Sequence, residues 1–416
     1  MKTSNSRPSP VAGTVEEVLG VDGPFSFPEK LFQRLWARRE FDPRGARTAD
    51  GRRLKVIHPG RWNHLGGPDF CDARLRIGEA TVSGDVELHL RAQDWAAHAH
   101  AEDPAYATVV LHVVLFPPAT THTCGVDGRQ IPIFALLPRL YHDLEEYAAN
   151  AAVESLANRP SMRLLEALGE LPRAELLAEL AKRAEDRWIN KVRFAGLRVA
   201  RLGWVEACHH TALEILGYRY NRAPVLRVAS RYPFSLWASG EIELDDVLAS
   251  EGSAGWSMQG VRPANQPRTR LRQYADWSLA VPDWPERLVP GFTLTERATL
   301  GNGDTLGTPT TRVLRRSRDF PCQRERCRQD VCGGVLGGPR LDNLICDGFL
   351  PLVATRGSDL ALKAKGLWIH WYPGDLPPLI RPGLRDLGLV DGARLPTGQG
   401  LAQGLLGWLL DQEHQS

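Results

Sequence analysis

The stretch that decides the fold is FCDARLRIG (70–78), followed by ATVSGDVELHL (80–90). Both segments alternate apolar and polar residues around a Gly-Glu turn, which predicts a β-hairpin. In the second segment the side chains fall on two opposite faces. One face carries Val82, Gly84, Val86, Leu88 and Leu90. The other carries Asp85, Glu87 and His89, so the hairpin presents acidic and imidazole groups along one side.

The segments around this hairpin predict a small α/β domain. Helical spacing of apolar residues marks PEKLFQRLWARREF (28–41), and RRLKVIHPG (52–60) is typical of a short strand ended by Pro-Gly. After the hairpin, Asp94 is suited to cap a short helix over WAAHAHAE, and TVVLHVVLF (108–116) is typical of a buried strand. The predicted order is therefore helix, three strands, helix, strand.

The 416 residues exceed the size of one ordinary core, so several domains are expected. We predict a disordered tail over 1–25, an α/β domain over 26–138 and a mainly helical domain over 139–300. The segment 301–416 forms an arginine- and cysteine-containing C-terminal region. No internal repeat is visible in the sequence.

The composition restricts the class of protein. The formal net charge is only +2, so any nucleic-acid surface must come from a local patch. The N-terminal segment lacks the apolar run of a signal peptide, and no apolar stretch is long enough to span a membrane. Seven cysteines, an odd number, suit a reducing compartment better than a disulfide framework. The sequence predicts a cytoplasmic protein without a membrane partner.

Two carboxylates suggest a metal site. Asp69 lies in GGPDF at the mouth of the first hairpin strand, and Glu87 lies within the second. The turn folds these strands together, so both carboxylates are expected at one end of the sheet. Such an oxygen-rich pair suits Mg²⁺ or Mn²⁺. His89 projects from the same face as Glu87, where it is placed to orient or deprotonate a water molecule, or to bind the metal.

These elements and motifs resemble the PD-(D/E)xK nuclease superfamily, which has a helix–β–β–β–helix–β order. The resemblance implies a restriction-endonuclease-like core and metal-dependent hydrolysis of phosphodiester bonds in DNA or RNA. It gives Asp69 and Glu87 the metal-ligand positions, and His89 stands where the superfamily usually has lysine. Glu29 matches the extra acidic residue of some members, and His98 and His100 become supporting residues.

Two other functions remain open. A zinc-dependent hydrolase of small molecules would use His98, His100 and one carboxylate. On a helix, however, those two imidazoles point about 200° apart, which makes shared ligation awkward. The other alternative is a non-catalytic nucleic-acid-binding protein with a relic site. His112, inside an apolar strand, is interpreted as a core residue.

The C-terminal region carries two further patterns. Four thiols at Cys322, Cys327, Cys332 and Cys346 suggest Zn²⁺ or an iron–sulfur cluster, although no Cys-x₂-Cys pair is present. Six arginines nearby suggest a surface that binds the phosphates of nucleic acid. They are Arg315, Arg316, Arg318, Arg324, Arg326 and Arg328.

The whole chain also resembles an uncharacterised bacterial family of unknown function. The matching stretches include GRWNHLGGPDF, GDVELHLRAQDWAAHAH, YATVVLHVVLF, RPANQPRTRLRQYA and GQGLAQGLL. This resemblance implies no activity.

Overall fold

The computed structural model describes residues 15–20, 23–64, 66–157, 162–252, 255–258, 261, 263–292, 308–392 and 394–415. The chain forms two compact units, Met1–Ala148 and Ala149–Ser416. The first unit is mixed α/β and the second is mainly helical, as the sequence predicts. The boundary falls ten residues later than the predicted one after residue 138, inside helix α3 (Leu144–Ala157).

Unit 1 contains the predicted order of elements. Its elements are β1 (Val15–Gly20), β2 (Gly23–Pro28), α1 (Glu29–Arg38), β3 (Leu54–His58), β4 (Arg61–Trp62), β5 (Phe70–Ile77), β6 (Ala80–His89), α2 (Asp94–Ala97), β7 (Val109–Val114), β8 (His122–Cys124) and β9 (Gln130–Ala135). Helix, three strands, helix and strand correspond to α1, β3, β5, β6, α2 and β7. The two-residue strand β4 is an addition, and α2 is much shorter than predicted.

The N-terminal segment differs from the prediction of a disordered tail over 1–25. Strands β1 and β2 pair antiparallel as a hairpin that leads directly into α1. Alternation of apolar residues in VEEVLG and GPFSFP is the signal for these strands. Residues 1–14 and 21–22 of the predicted tail lie outside the described residues.

The central feature of unit 1 is a seven-stranded sheet. Its strand order is β3-β5-β6-β7-β9-β8, and β4 pairs with β5. Strands β6, β7 and β9 run parallel, whereas the other pairs are antiparallel. The hairpin of β5 and β6 turns at Gly78, whose φ of 63° favours glycine. The parallel pairing sets Glu87 of β6 beside His112 of β7.

The two faces of the sheet are covered differently. Helix α1 buries Leu31, Phe32, Leu35 and Trp36, and the Trp36 ring contacts Phe134 of β9. On the opposite face, Trp95 of α2 and Tyr106 pack with Val109 and Ile131. Paired residues in adjacent strands share a face, so Glu87, His89 and His112 lie on the face covered by α2.

Unit 2 combines the two C-terminal regions that the sequence separates at residue 300. One apolar core joins helices from both sides of that boundary, including the buried Trp277, Trp284, Trp368 and Trp371. After α3 its helices are α4 (Met162–Gly169), α5 (Arg173–Leu202), α6 (Trp204–Arg231), α7 (Phe234–Ala238), α8 (Leu244–Ser250), α9 (Pro267–Ala280), α10 (Trp284–Phe292), α11 (Arg312–Ser317), α12 (Phe320–Arg326), α13 (Gly338–Asn343), α14 (Leu350–Ala354), α15 (Ser358–His370), α16 (Ile380–Asp386) and α17 (Gln399–Gln415). Among the described residues, no helix combines the length and apolarity needed to cross a bilayer.

Candidate functional site

Asp69 and Glu87 come together as the hairpin predicts. The Asp69 backbone N–H donates to Glu87 Oε2 at 2.9 Å. Asp69 Oδ2 in turn accepts from the Leu88 N–H at 3.0 Å, and its Oδ1 accepts from Gln33 Nε2 of α1 at 2.7 Å. These bonds hold both carboxylates at the end of β5 and β6 that faces the start of α1.

A group of imidazoles lies on the other side of Glu87. Glu87 Oε1 is 3.7 Å from His89 Nε2 and 3.5 Å from His100 Nε2. His89 Nε2 is 3.1 Å from His98 Nδ1. The ligand atoms of the three histidines all lie within 4.8 Å of one another. Three ring nitrogens therefore cluster together, and one carboxylate oxygen lies within 3.7 Å of two of them.

His98 and His100 are not on a helix, so their side chains need not point in opposite directions and could bind the same ion. Helix α2 ends at Ala97, so neither histidine is inside it. Ala99 between them has a φ of 56°, a left-handed conformation uncommon for alanine. After this turn, His98 lies beside His89 and His100 lies beside Glu87. The expectation of a helix carrying both residues, about 200° apart, is therefore wrong.

His100 has an unusual environment. Only 7% of the residue is exposed, and its ring stacks on Tyr106 with centroids 3.8 Å apart. Its Nε2 atom is buried, and it has no hydrogen-bond partner among the described residues. A buried polar atom without a partner costs about 1–3 kcal/mol, so native proteins rarely leave one without a ligand or water.

The ring of His89 is oriented by a hydrogen bond to His112, on the side away from Glu87. His89 Nδ1 lies 2.9 Å from His112 Nε2, and His112 Nδ1 lies 2.8 Å from Thr123 Oγ1 of β8. If His89 Nδ1–H donates to His112 and His112 Nδ1–H donates to Thr123, the lone pair of His89 Nε2 lies on the side of His98 and Glu87. His112 is buried, as the sequence predicts, but it also positions a residue of the site.

Burial determines the protonation of these groups. It raises the pKa of Glu87, and the adjacent Asp69 carboxylate raises it further. Burial raises the pKa of Asp69, and the charge of Glu29 raises it further. Burial lowers the pKa of His100 to about 4 and that of His112 to about 3. Near neutral pH these imidazoles are uncharged and offer lone pairs.

The donor atoms do not fit the Mg²⁺ ion that the nuclease resemblance implies. Mg²⁺ prefers oxygen ligands and usually retains several waters. Both Asp69 oxygens accept hydrogen bonds from the protein, and Glu87 Oε2 accepts one from Asp69. The remaining Glu87 Oε1 faces nitrogen atoms, which Mg²⁺ binds poorly.

The cysteine group does not converge. Cys322 is exposed, whereas Cys327, Cys332 and Cys346 are buried in the helical core. Within the described part of the chain, no cysteine belongs to a group of three or more candidate metal ligands. The arrangement therefore gives no support for Zn²⁺ or an iron–sulfur cluster at these thiols.

Most of the predicted arginine surface is engaged within unit 2. Arg315 is buried and donates to the carbonyls of His370, Trp371 and Thr397. Arg324 pairs with Asp342 and Arg328 with Glu325, while Arg318 is half-buried. Only Arg316 and Arg326 of the six predicted residues are exposed. This group therefore offers two outward charges rather than six.

Sequence reasoning missed Gln33 and underestimated His112. Gln33 follows Glu29 by four residues in α1, so both lie on the same face of that helix. That spacing is a signal that could have been used. The pairing of His112 with Glu87 depends on a parallel register that the sequence does not show.

Comparisons with known proteins place the chain in a family. A family model described as "Protein of unknown function (DUF2851)" matches residues 29–249. Neither the curated proteins nor the solved structures gave a match. The matched segment covers the complete site and more than half of the 416 residues. The chain belongs to the DUF2851 family of proteins of unknown function.

Proposed function

We propose that unit 1 is a metal-dependent nuclease that hydrolyses phosphodiester bonds in DNA or RNA. The observation that carries this proposal is the contact between Asp69 and Glu87, made within the order α1, β3, β5, β6, α2, β7. That order and that acidic pair are the two features on which the resemblance to PD-(D/E)xK nucleases rests. A restriction-endonuclease-like core is part of the proposal.

The residues of the site have distinct roles in this proposal. A divalent ion bound at Glu87 would polarise a phosphoryl oxygen and favour attack by water on phosphorus. Glu87 would hold the ion, and the Asp69 N–H positions Glu87 by donating to its Oε2. His89 is only 4% exposed and both ring nitrogens have imidazole neighbours, so we assign it to ion binding rather than to proton transfer.

An exposed basic surface on unit 1 supports a phosphate-containing substrate. Lys55 of β3 pairs with Arg76 of β5, while Arg74 and Arg76 pair with Ser83 and Thr81 of β6. The alternation along β6 sets these positions on the same face as Glu87. Lys55, Arg74 and Arg76 are exposed, and none has an ion-pair partner among the described residues. We call these three residues the basic strip.

The test is cleavage of labelled single- and double-stranded DNA and RNA, each with Mg²⁺, Mn²⁺, Zn²⁺ or Co²⁺. We expect metal-dependent cleavage by the wild-type chain and a loss of at least about 100-fold in Glu87→Gln, because the variant lacks the anionic ligand. Glu79→Gln, an exposed carboxylate in the β5–β6 turn, is the matched control and should keep full activity. Equal activity of Glu87→Gln and Glu79→Gln would mean that any cleavage takes place at a site that does not include Glu87.

A zinc-dependent hydrolase of small molecules is the second candidate. The observation that favours it is the nitrogen-rich set of His89, His98 and His100. It predicts no cleavage of any nucleic acid, but metal-dependent turnover of small esters or amides that Glu87→Gln abolishes. Binding of nucleic acid without turnover of either substrate class would instead favour the non-catalytic alternative.

A further inference from the structure

We propose that Glu87, His89, His98 and His100 form a binding site for a first-row transition metal of the zinc class, with three nitrogen ligands and one oxygen ligand. The inference deepens the proposed function, because it names the ion of the same site. It does not depend on phosphodiester hydrolysis, since binding can be measured without substrate. It also accounts for the poor fit of the site to Mg²⁺.

The spacing of the donor atoms is close to that of ligands around one metal ion. Ligands about 2.0–2.1 Å from a tetrahedral Zn²⁺ ion are separated from one another by about 3.3–3.4 Å. Three measured separations are close to this value: 3.1 Å between His89 Nε2 and His98 Nδ1, 3.5 Å between Glu87 Oε1 and His100 Nε2, and 3.7 Å between Glu87 Oε1 and His89 Nε2. The ligand atoms of the three histidines also lie within 4.8 Å of one another, and Glu87 Oε1 is adjacent to two of them.

One buried ring nitrogen of the site also lacks a partner. His100 Nε2 is buried and lies 3.5 Å from Glu87 Oε1, yet it has no hydrogen-bond partner among the described residues. A metal ion would use this lone pair. Because imidazole suits zinc, copper, iron and nickel better than magnesium, the unpartnered atom also indicates the class of ion.

Two of the proposed ligands are held in place by neighbouring residues. A metal-binding histidine usually donates its other ring N–H to a fixed acceptor, which sets the tautomer and orients the ring. His112 and Thr123 provide this support for His89, and the Asp69 N–H holds the second oxygen of Glu87. His98 is exposed, so the site has one side open to solvent for entry of the ion.

The experiment uses the full chain after treatment with a chelator. Zn²⁺ binding is measured by calorimetry, and Co²⁺ is added as a spectroscopic probe of coordination number. We expect one Zn²⁺ per chain, intense visible bands typical of four-coordinate Co²⁺, and no competition from millimolar Mg²⁺. His98→Ala should weaken Zn²⁺ binding and change the visible spectrum of bound Co²⁺, because water replaces one imidazole ligand. This residue is exposed and can be replaced without disturbing the core.

Two further variants separate ligation from support and from unspecific binding. His112→Phe should weaken Zn²⁺ binding by about 10–100-fold, the usual effect of losing an outer-shell partner. His58→Ala removes an exposed imidazole at the end of β3 and should leave binding unchanged. A thermal melt of each metal-free variant checks that it is folded.

Six-coordinate Co²⁺, or Zn²⁺ binding that His98→Ala leaves intact, would overturn this proposal. Its failure is distinguishable from failure of the proposed function. Tight Zn²⁺ binding without cleavage of any nucleic acid would support the metal site and contradict the nuclease. Mg²⁺-supported cleavage that persists in His98→Ala would support the nuclease and contradict the metal site.

Discussion

Glu87 and His89 differ from the exposed polar residues elsewhere on the sheet, because almost none of their surface reaches water. Glu87 is 6% exposed and His89 is 4% exposed. Burying a charged group costs free energy unless the group is paired or binds a metal. Buried ionisable groups are therefore candidates for a functional site. The bonds from Asp69 and His112 supply part of the compensation.

Single residues also limit what the sequence can predict about the site. The approach of Asp69 and Glu87 at one end of the hairpin was predictable, because a tight turn fixes which strand ends meet. The register shift between Phe70 and Ala73, which sets Phe70 opposite Val86, was not predictable. The convergence of His98 and His100 was not predictable either, since it depends on a left-handed alanine at position 99. Alanine does not indicate a left-handed conformation, whereas glycine or asparagine at this position would have indicated one.

His209 of unit 2 gives a prediction about acid stability. Its Nδ1 accepts from the Tyr274 hydroxyl at 2.6 Å, and its Nε2–H donates to the Tyr232 carbonyl at 3.1 Å. Burial lowers the pKa of His209 to about 3. The unfolded chain binds a proton at this residue below about pH 6.5, but the folded chain does not. The free energy of unfolding therefore falls as the pH drops below 6.5.

His209→Gln tests this effect, because glutamine keeps polar atoms but does not titrate. Between pH 6.5 and pH 5 the wild type should lose about 2 kcal/mol more of its unfolding free energy than the variant. Urea denaturation followed by tryptophan fluorescence at several pH values gives these energies. His58→Gln, on an exposed residue, should follow the wild type; parallel pH profiles of wild type and His209→Gln would contradict the prediction.

At the scale of elements, the sequence predicts which segments are helices and strands better than how they pair. Alternation and turn residues gave β3, β5, β6 and β7, and helical spacing gave α1. The parallel pairing of β6 with β7 is set by the crossover through α2, and a buried apolar strand looks alike in either direction. The position of His112 beside Glu87 could therefore not be predicted from the sequence.

The basic strip of β3 and β5 leads to a prediction for nucleic-acid binding. Replacing Lys55, Arg74 and Arg76 by glutamine should weaken binding of every tested sequence to a similar degree, because phosphate contacts carry no sequence information. Each substitution should also lower the slope of log affinity against log salt by about 1. Fluorescence anisotropy at several salt concentrations measures both quantities.

The exposed arginines of unit 2 provide the comparison. Arg316→Gln with Arg326→Gln removes the two outward charges of the surface that the sequence predicts for phosphate binding. We expect this pair to leave the salt dependence unchanged. A lower slope of log affinity against log salt in this variant, with a wild-type slope in the variants of Lys55, Arg74 and Arg76, would contradict the prediction. The nucleic-acid-binding surface would then lie on unit 2.

At the scale of the whole molecule, the main difference from the sequence prediction is the number of C-terminal parts. Residues 139–300 and 301–416 differ in composition, which suggested two regions. Yet Trp277 and Trp284 share one apolar core with Trp368 and Trp371. Composition reports local character, whereas a core depends on long-range packing that composition does not show.

The cysteines give a prediction for the complete chain. All seven thiols are free, and only Cys124 and Cys322 are exposed. Burial raises the pKa of Cys208, Cys332 and Cys346, which reduces their reactive thiolate further. A thiol-reactive disulfide reagent should therefore label two residues quickly in the native protein. It should label seven per chain after denaturation without a reductant.

Cys322→Ser is the matched variant and should lose one of the two fast-reacting thiols. A native count that rises on addition of a chelator would instead indicate a metal bound by cysteine. Fewer than seven thiols in the denatured, unreduced chain would contradict the free state of the cysteines.

The short distance along the chain between Glu87 and His100 affects how strongly a bound ion can stabilise the folded state over the unfolded state. All four proposed ligands belong to one segment that includes the end of β6 and the start of the crossover. An unfolded chain can bring such neighbouring groups around an ion without closing a long loop. Ion binding to the unfolded chain then offsets part of the binding to the folded chain. We expect zinc to protect this protein against heat by less than its affinity alone would suggest.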